Sequence, residues 1–361
     1  MTDLTNYVRH TITGHDMEAV LRAMQSPNLT QGPIVTQFEI EFAAMCAAPY
    51  AVAVTNGTDA LMLALMSLGV DASCTVAVPA ITFTATAAAA RALGAEVVFT
   101  DVDPVTGLMT AEDFENTVET SQKIDVVIPV HLNGAVGDME AVYSTADFYG
   151  IDVVEDACHA IGAKLYGGDH ACFSLHPAKG MTSAEGGMVV TRDYLAYERM
   201  KCMRNHGRAE DGLVHMLGRN CRMSELHAAL GLSQLQRLNV MNQTRRSLVA
   251  GYCAALKSMD PLVVPVPNLA LESNSPHLMP VHIDWEMSGT TREIVRADLA
   301  ARGIGTQVHY VPLHMHPVYC SDETYPGAEE YYESILSLPM FVGMEMHDVF
   351  RVVSALKEIL E

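Results

Sequence analysis

The sequence predicts an α/β protein: a mostly parallel sheet with helices on both faces, followed by a smaller C-terminal α/β domain. Three observations point there. Strand-like runs of continuous apolar character alternate with helix-length segments from 51 to 155, as strands buried on both faces do. The alternation breaks at 171–191, where two strand-like runs follow each other without a helix, so one of them is expected to run antiparallel. The 361 residues exceed the usual size of one domain, and Pro261, Pro265 and Pro267 punctuate the chain before a last third with its own βαβ pattern. The division is set at residues 1–240 for the large domain and 241–361 for the small one.

Taken in order, residues 14–26 read as an amphipathic helix with Met17, Val20, Leu21 and Met24 at helical spacing. The stretch Asn28 to Pro33 breaks it. A second helix over 35–47 brings Phe38, Phe42 and Met45 onto one side. Strands are then expected at 51–54, 75–78, 96–100, 125–131 and 151–155, with helices at 58–68, 83–93, 112–119 and 138–149 between them. Ala171 to Leu175 and Gly187 to Thr191 supply the two adjacent strands. From 192 to about 260 the chain reads as helical, with a fresh start at Met223-Ser224-Glu225-Leu226 and a body over 226–238. Met279 to Ile283 reads as a strand and 347–360 as a closing helix.

Composition narrows the function classes. With 49% hydrophobic residues the chain can bury a full core. No basic-then-apolar leader opens it and no uninterrupted apolar run reaches membrane-spanning length, so a cytoplasmic, non-membrane protein is expected. The eight cysteines (Cys46, Cys74, Cys158, Cys172, Cys202, Cys221, Cys253 and Cys320) form no CxxC pair, which favours reduced thiols over bridges or structural zinc. A net charge of −21 argues against nucleic acid or an anionic membrane as partner. Seven of sixteen arginines nevertheless lie between 204 and 246, a local positive density suited to phosphate.

The chemistry concentrates at the two adjacent strands. One of only six lysines, Lys179, sits between them among small and apolar residues. A solvated loop lysine is the commoner case, but a lysine at a strand end in such surroundings can be held partly desolvated, which makes its neutral amine a nucleophile toward an aldehyde. Upstream, Val153-Val154-Glu155-Asp156-Ala157-Cys158-His159 ends a strand in acid, with a histidine three positions after Asp156. A lysine and a carboxylate at neighbouring strand ends suit pyridoxal phosphate, the lysine as Schiff base and Asp156 on the pyridinium nitrogen. Thr55-Asn56-Gly57-Thr58-Asp59 joins a strand to a helix, where a glycine, a hydroxyl and free N–H groups can hold an anion, although an ordinary capped turn looks the same. Phe83 stands at the next strand-to-helix junction, placed to stack on a ring or to pack in the core.

These motifs, with Phe173-Ser174-Leu175-His176-Pro177-Ala178-Lys179, Glu185-Gly186-Gly187 and Leu217-Gly218-Arg219-Asn220-Cys221-Arg222-Met223, occur in the order seen in sugar-nucleotide aminotransferases. The chain resembles the DegT/DnrJ/EryC/StrS group of fold type I pyridoxal-phosphate enzymes over essentially its whole length. The resemblance implies Lys179 as the Schiff-base lysine, Asp156 on the pyridine nitrogen and His159 near the phenolic oxygen. It places Phe83 on the ring, and Gly57, Thr58 and Ser174 at the phosphate. It implies that Asn220 reaches the phosphate of a neighbouring subunit, hence a homodimer with shared sites. His309 and Tyr310, in a substrate-facing strand from Gln307, and Arg222 are expected near substrate. Leu175 and Cys221 depart from the aromatic residues usual at those positions.

What the resemblance implies is amination of a nucleotide-linked keto sugar, with glutamate as donor. The closest likeness is to enzymes that aminate C4 of a UDP-linked 4-keto-6-deoxy-N-acetylhexosamine, as in pseudaminic acid synthesis. Related sugar dehydratases carry histidine at the lysine position, so Lys179 favours amination. A metal-dependent hydrolase using His309, His314 and His316 is the competing reading from another class, with Cys320 and Asp322 as the nearest further ligands. A binding protein that keeps the cofactor without turnover is disfavoured by the intact Lys179 and Asp156.

Overall fold

A computed structural model describes residues 3–121, 123–165, 170–319 and 321–360. Ten strands form two sheets. The larger holds β1 (Tyr50–Val54), β2 (Thr75–Pro79), β3 (Glu96–Thr100), β4 (Val126–Val127), β5 (Asp152–Asp156), β6 (His170–Ser174) and β7 (Gly187–Thr191) in the order β1-β7-β6-β5-β4-β2-β3. All pairings are parallel except those of β7, which runs antiparallel to both β1 and β6. The break in alternation at 171–191 therefore marks the reversed strand, and it is the second of the two runs.

Alternate residues of one strand enter different cores, because successive side chains point to opposite faces. In β1, Val52 and Val54 pack with the helix Gly57–Ser67, whereas Ala51 and Ala53 pack with Phe38 and Phe42 of the helix Pro33–Met45. Phe42 meets Phe38 and Phe173 edge-on, at centroid distances of 5.8 and 5.1 Å. Both faces of the sheet are thus covered, as the continuous apolar strands predict.

The smaller sheet contains β8 (Val263–Pro265), β9 (Met279–Ile283) and β10 (Ile335–Leu338), in the order β10-β9-β8. Both of its pairings are antiparallel, so the βαβ pattern expected there is not formed. The helices Arg292–Ala301 and Pro326–Ser334 join β9 to β10, a connection long enough to return the chain in either sense. The helix Leu238–Leu256 runs without interruption through residue 240.

Other differences have local causes. The strand expected over 125–131 is reduced to Val126–Val127, with one isolated bridge from Val130 to Asp156; Pro129 has no N–H for the ladder. The expected helical run from 192 is interrupted between the helices Tyr194–Met203 and Glu225–Leu235. The intervening loop is pinned by bridges Asn205–Asn220 and Arg208–Val214. At its tightest point a Cβ on Gly207, whose φ is 75°, would stand 1.8 Å from the Met216 carbonyl oxygen. The first helix, Gly14–Met24, turns its apolar stripe outward: Met17, Leu21 and Met24 are exposed, and Asp16 and Ala23 are buried. Asp16 decides this. It accepts from Ser233 at 2.7 Å and from Gln234 at 3.0 Å and pairs with Arg237, so the acid is drawn inward against the helix Glu225–Leu235. Among the described residues no helix is long and apolar enough to cross a membrane.

Candidate active site

Parallel strands in an open α/β sheet present their carboxyl ends to a common crevice. Here those ends deliver Asn56 and Gly57 after β1, Thr82 and Phe83 after β2, Asp156 at the end of β5 and Ser174 at the end of β6. All six line one cavity of about 580 Å³, together with Thr58, His159, Lys179, His309 and Tyr310.

At one end the helix Gly57–Ser67 begins. Asn56 caps it, its side chain accepting from the Asp59 N–H at 2.8 Å, while the first-turn N–H groups at Gly57 and Thr58 have no carbonyl within the helix to meet. A Cβ on Gly57 would stand 2.8 Å from the Ser174 Cβ. The glycine therefore lets Ser174 and the helix start share a narrow cradle suited to a phosphate.

Lys179 is carried by a turn after β6 that is stitched back on itself. Leu175 accepts from the Ser183 N–H at 3.0 Å and the Thr182 hydroxyl at 2.9 Å, and its own N–H donates to Gly186 at 2.8 Å. Desolvation lowers the pKa of Lys179, and the nearby Cys158 and Asp156 only partly restore it. Burial acts on the Cys158 thiol in the opposite sense, raising its pKa. Asp156 is buried with both oxygens engaged, Oδ2 by the Thr86 hydroxyl at 2.8 Å and Oδ1 by the Cys158 N–H at 3.1 Å. These contacts aim the carboxylate without supplying a counter-charge, which leaves its negative charge for whatever occupies the cavity.

His159 stacks obliquely on His277, with centroids 4.6 Å apart. Its Nε2 lies 3.2 Å from the Tyr310 hydroxyl, and Tyr310 in turn lies 5.9 Å from the Phe83 ring. Desolvation first, then the charges of Lys179, His277 and His309, hold the His159 pKa well below the ordinary histidine value, so the ring is neutral. Phe83 is 54% exposed, an open aromatic face at the mouth of the cavity. His309 bonds Ser337 Oγ through Nδ1 at 2.9 Å, and burial pushes its pKa down to about 3. The fit to pyridoxal phosphate is thus supplied by this chain's residues: an anion cradle, an apolar face, a desolvated amine and a fixed carboxylate.

Asn220 and Arg222 do not line the cavity. Asn220 is exposed and accepts from Arg222 Nε at 3.1 Å; Arg222 also reaches Asn205 and Gln31. The arginines read as one positive patch are in fact divided. Arg204 is committed to Glu39 and the Ala53 carbonyl, whereas Arg208 and Arg219 are exposed. The three C-terminal histidines also separate. His314 turns to Glu329 at 3.2 Å, His309 to Ser337, and only His316 joins His309 at the cavity. Among the described residues no group of three metal-ligating side chains converges, and Asp322 is exposed; Cys320 lies outside the described residues.

Thr86 and His277 are among the site residues that escaped sequence reasoning. Thr86, one helical turn beyond Thr82 and bonded to it at 2.8 Å, holds Asp156; the Thr-x-x-x-Thr spacing after β2 was the available signal. His277 reaches the cavity from the distant segment before β9, and nothing local to it signals this.

The comparisons agree with this geometry. The profile of the DegT/DnrJ/EryC1/StrS aminotransferase family matches residues 10–357. Among solved structures, DesV from S. venezuelae is 32% identical with a TM-score of 0.89, covering 96% of this chain and 94% of that one. PseC from Helicobacter pylori, an aminotransferase involved in the biosynthesis of pseudoaminic acid, is 27% identical with a TM-score of 0.91 and 98% of each chain covered. Spr1654 from Streptococcus pneumoniae, in its PLP-form, is 25% identical with a TM-score of 0.89, covering 98% of this chain and 97% of that one. With a lysine and a carboxylate meeting in a cavity beside a phosphate cradle, and with the family profile spanning nearly the full length, this chain belongs to the DegT/DnrJ/EryC1/StrS aminotransferase family and has its pyridoxal-phosphate-dependent fold type I architecture.

Proposed function

We propose that this protein moves an amino group from glutamate to a nucleotide-linked keto sugar, specifically a UDP-linked 4-keto-6-deoxyhexose, in the cytoplasm. The observation that carries the reading is the desolvated Lys179 facing Asp156 across one cavity. Histidine at position 179 would favour a dehydratase; lysine favours amination.

Bound pyridoxal phosphate supplies an electron sink for the carbon that loses its proton. The residues do the rest. Gly57, Thr58 and Ser174 would hold its phosphate, Phe83 would cover its ring, and Asp156 would keep a proton on its ring nitrogen. Lys179, with its pKa lowered, is a neutral amine over a wider pH range than a solvated lysine, so it can take a proton from substrate carbon and return it. His159 would donate to the phenolic oxygen. His309 and Tyr310, which line the cavity, are the groups proposed to meet the nucleotide sugar.

The test is incubation with a UDP-linked 4-keto-6-deoxy-N-acetylhexosamine and glutamate. The expected result is 2-oxoglutarate and an amino sugar in equal amounts, read by mass. A deoxygenated sugar, or turnover of free amino acids alone, would overturn the reading.

The proposal includes a homodimer with shared sites, each pairing the cofactor-holding region, 1–240, with the C-terminal region, 241–361. It is supported by Asn220, which is exposed and off its own cavity, and by uncovered apolar side chains at Met17, Leu21, Met24, Leu213 and Leu217. Inactive Lys179→Ala and Asn220→Ala subunits, mixed and allowed to exchange, are then expected to regain about a quarter of wild-type activity, because half of the dimers carry one intact site. A monomer by light scattering, or no recovery in verified mixed dimers, refutes the shared site.

A further inference from the structure

We propose that the turn Asn133–Gly134 is the positioning device that selects the tautomer of His159, so that the ring's one N–H stands at Nε2 and faces the cavity. This rests on the reading of His159 as a cofactor-contacting residue and extends it to the residue that orients His159.

Asn133 and Gly134 both have left-handed backbones, with φ of 62° and 88°, a conformation that asparagine and glycine tolerate and branched side chains resist. That geometry turns the Asn133 N–H onto His159 Nδ1 at 3.3 Å. A backbone N–H can only donate, so Nδ1 is the bare nitrogen and the proton resides on Nε2. Nε2 in turn lies beside the Tyr310 hydroxyl at the cavity wall.

The turn is held from its other side. Its two carbonyls accept from the His277 N–H at 2.8 Å and the Ser275 N–H at 3.0 Å, and the Asn133 amide donates to the buried Tyr331 hydroxyl at 3.0 Å. A Cβ on Gly134 would stand 1.9 Å from the Ser275 carbonyl oxygen. The turn is therefore locked between the strand end that carries His159 and the segment that carries His277. With burial first, and then Lys179, disfavouring a second proton on the ring, the choice is between two neutral tautomers, and the Asn133 N–H makes it.

The test reads the tautomer directly, by 15N spectra of histidine-labelled, cofactor-free protein. Wild type is expected to show His159 protonated at Nε2. Asn133→Gly keeps the left-handed backbone and Tyr331→Phe removes only the side-chain bond, so both are expected to keep the wild-type pattern. Asn133→Val, whose β-branch resists that backbone, is expected to shift the population toward Nδ1–H. If Asn133→Val does not fold, Asn133→Ala poses the same question with less strain and is expected to raise the minor tautomer. An Nδ1-protonated ring in wild type, or an unchanged ring in the folded Val or Ala variant, would overturn the inference. A shifted tautomer with wild-type turnover in the reconstituted variant would instead uphold the turn's role and remove His159 from the cofactor.

Discussion

Borohydride reduction of the holoenzyme followed by peptide mapping is expected to place the cofactor on Lys179 and on no other lysine, and Lys179→Ala is expected to lower kcat by about 10⁴-fold or more. The size follows from two roles lost together. The variant has neither the amine that anchors an aldehyde nor the base that moves the proton, and groups acting as one unit fail as one unit. The direction of the pKa shift adds a check on the cofactor-free protein. Burial lowers the folded pKa of Lys179 below that of the unfolded chain. Between those two values the unfolded chain holds the proton and the folded chain does not, so this lysine makes the protein more stable as pH rises through that window. Lys179→Met is expected to remove that increment, measured as the change in melting temperature with pH. Label on another lysine, or an active alanine variant, would contradict the assignment.

Asp156→Asn is expected to fold, to bind pyridoxal phosphate more weakly and to lose about 10²–10³-fold in kcat, the scale seen when one preorganised electrostatic partner is removed. Retention of the fold follows from the contacts. The amide oxygen can still accept the Cys158 N–H, now at 3.1 Å from Oδ1. The Thr86 hydroxyl, now donating to Oδ2 at 2.8 Å, can rotate to accept from the amide, because its bond to Thr82 runs in either direction. What the amide cannot supply is the negative charge that keeps a ring nitrogen protonated. Circular dichroism should match wild type while single-turnover rates fall. Wild-type turnover in this variant would remove Asp156 from the chemistry, and loss of the fold would show that its bonds to Thr86 and Cys158 matter more to stability than its charge does to catalysis.

The sequence by itself determined the layered α/β architecture, because strands buried on both faces must be apolar throughout and the helices between them must be long enough to cross the sheet. It also showed that one of the two runs within 171–191 is reversed, since they follow each other without a helix; that it is the second came from the structure. Lys179, Asp156, Gly57 and Phe83 were legible for the same local reason: each stands at a strand end, and parallel strand ends meet at one edge. Tertiary structure alone decided whatever depends on partners remote in the chain. The outward face of Met17, Leu21 and Met24 follows from Asp16 being drawn to Arg237, Ser233 and Gln234, which helical periodicity does not encode. The separation of His314 from His309 and His316 follows from Glu329 holding His314 while Ser337, from a different element, holds His309. His277 and the left-handed Asn133–Gly134 turn reach His159 only because β5 and the segment before β9 pack together. Spacing reports which face of an element is apolar and where an element ends, but a hydrogen bond between residues more than a hundred positions apart exists only once the chain has closed around it.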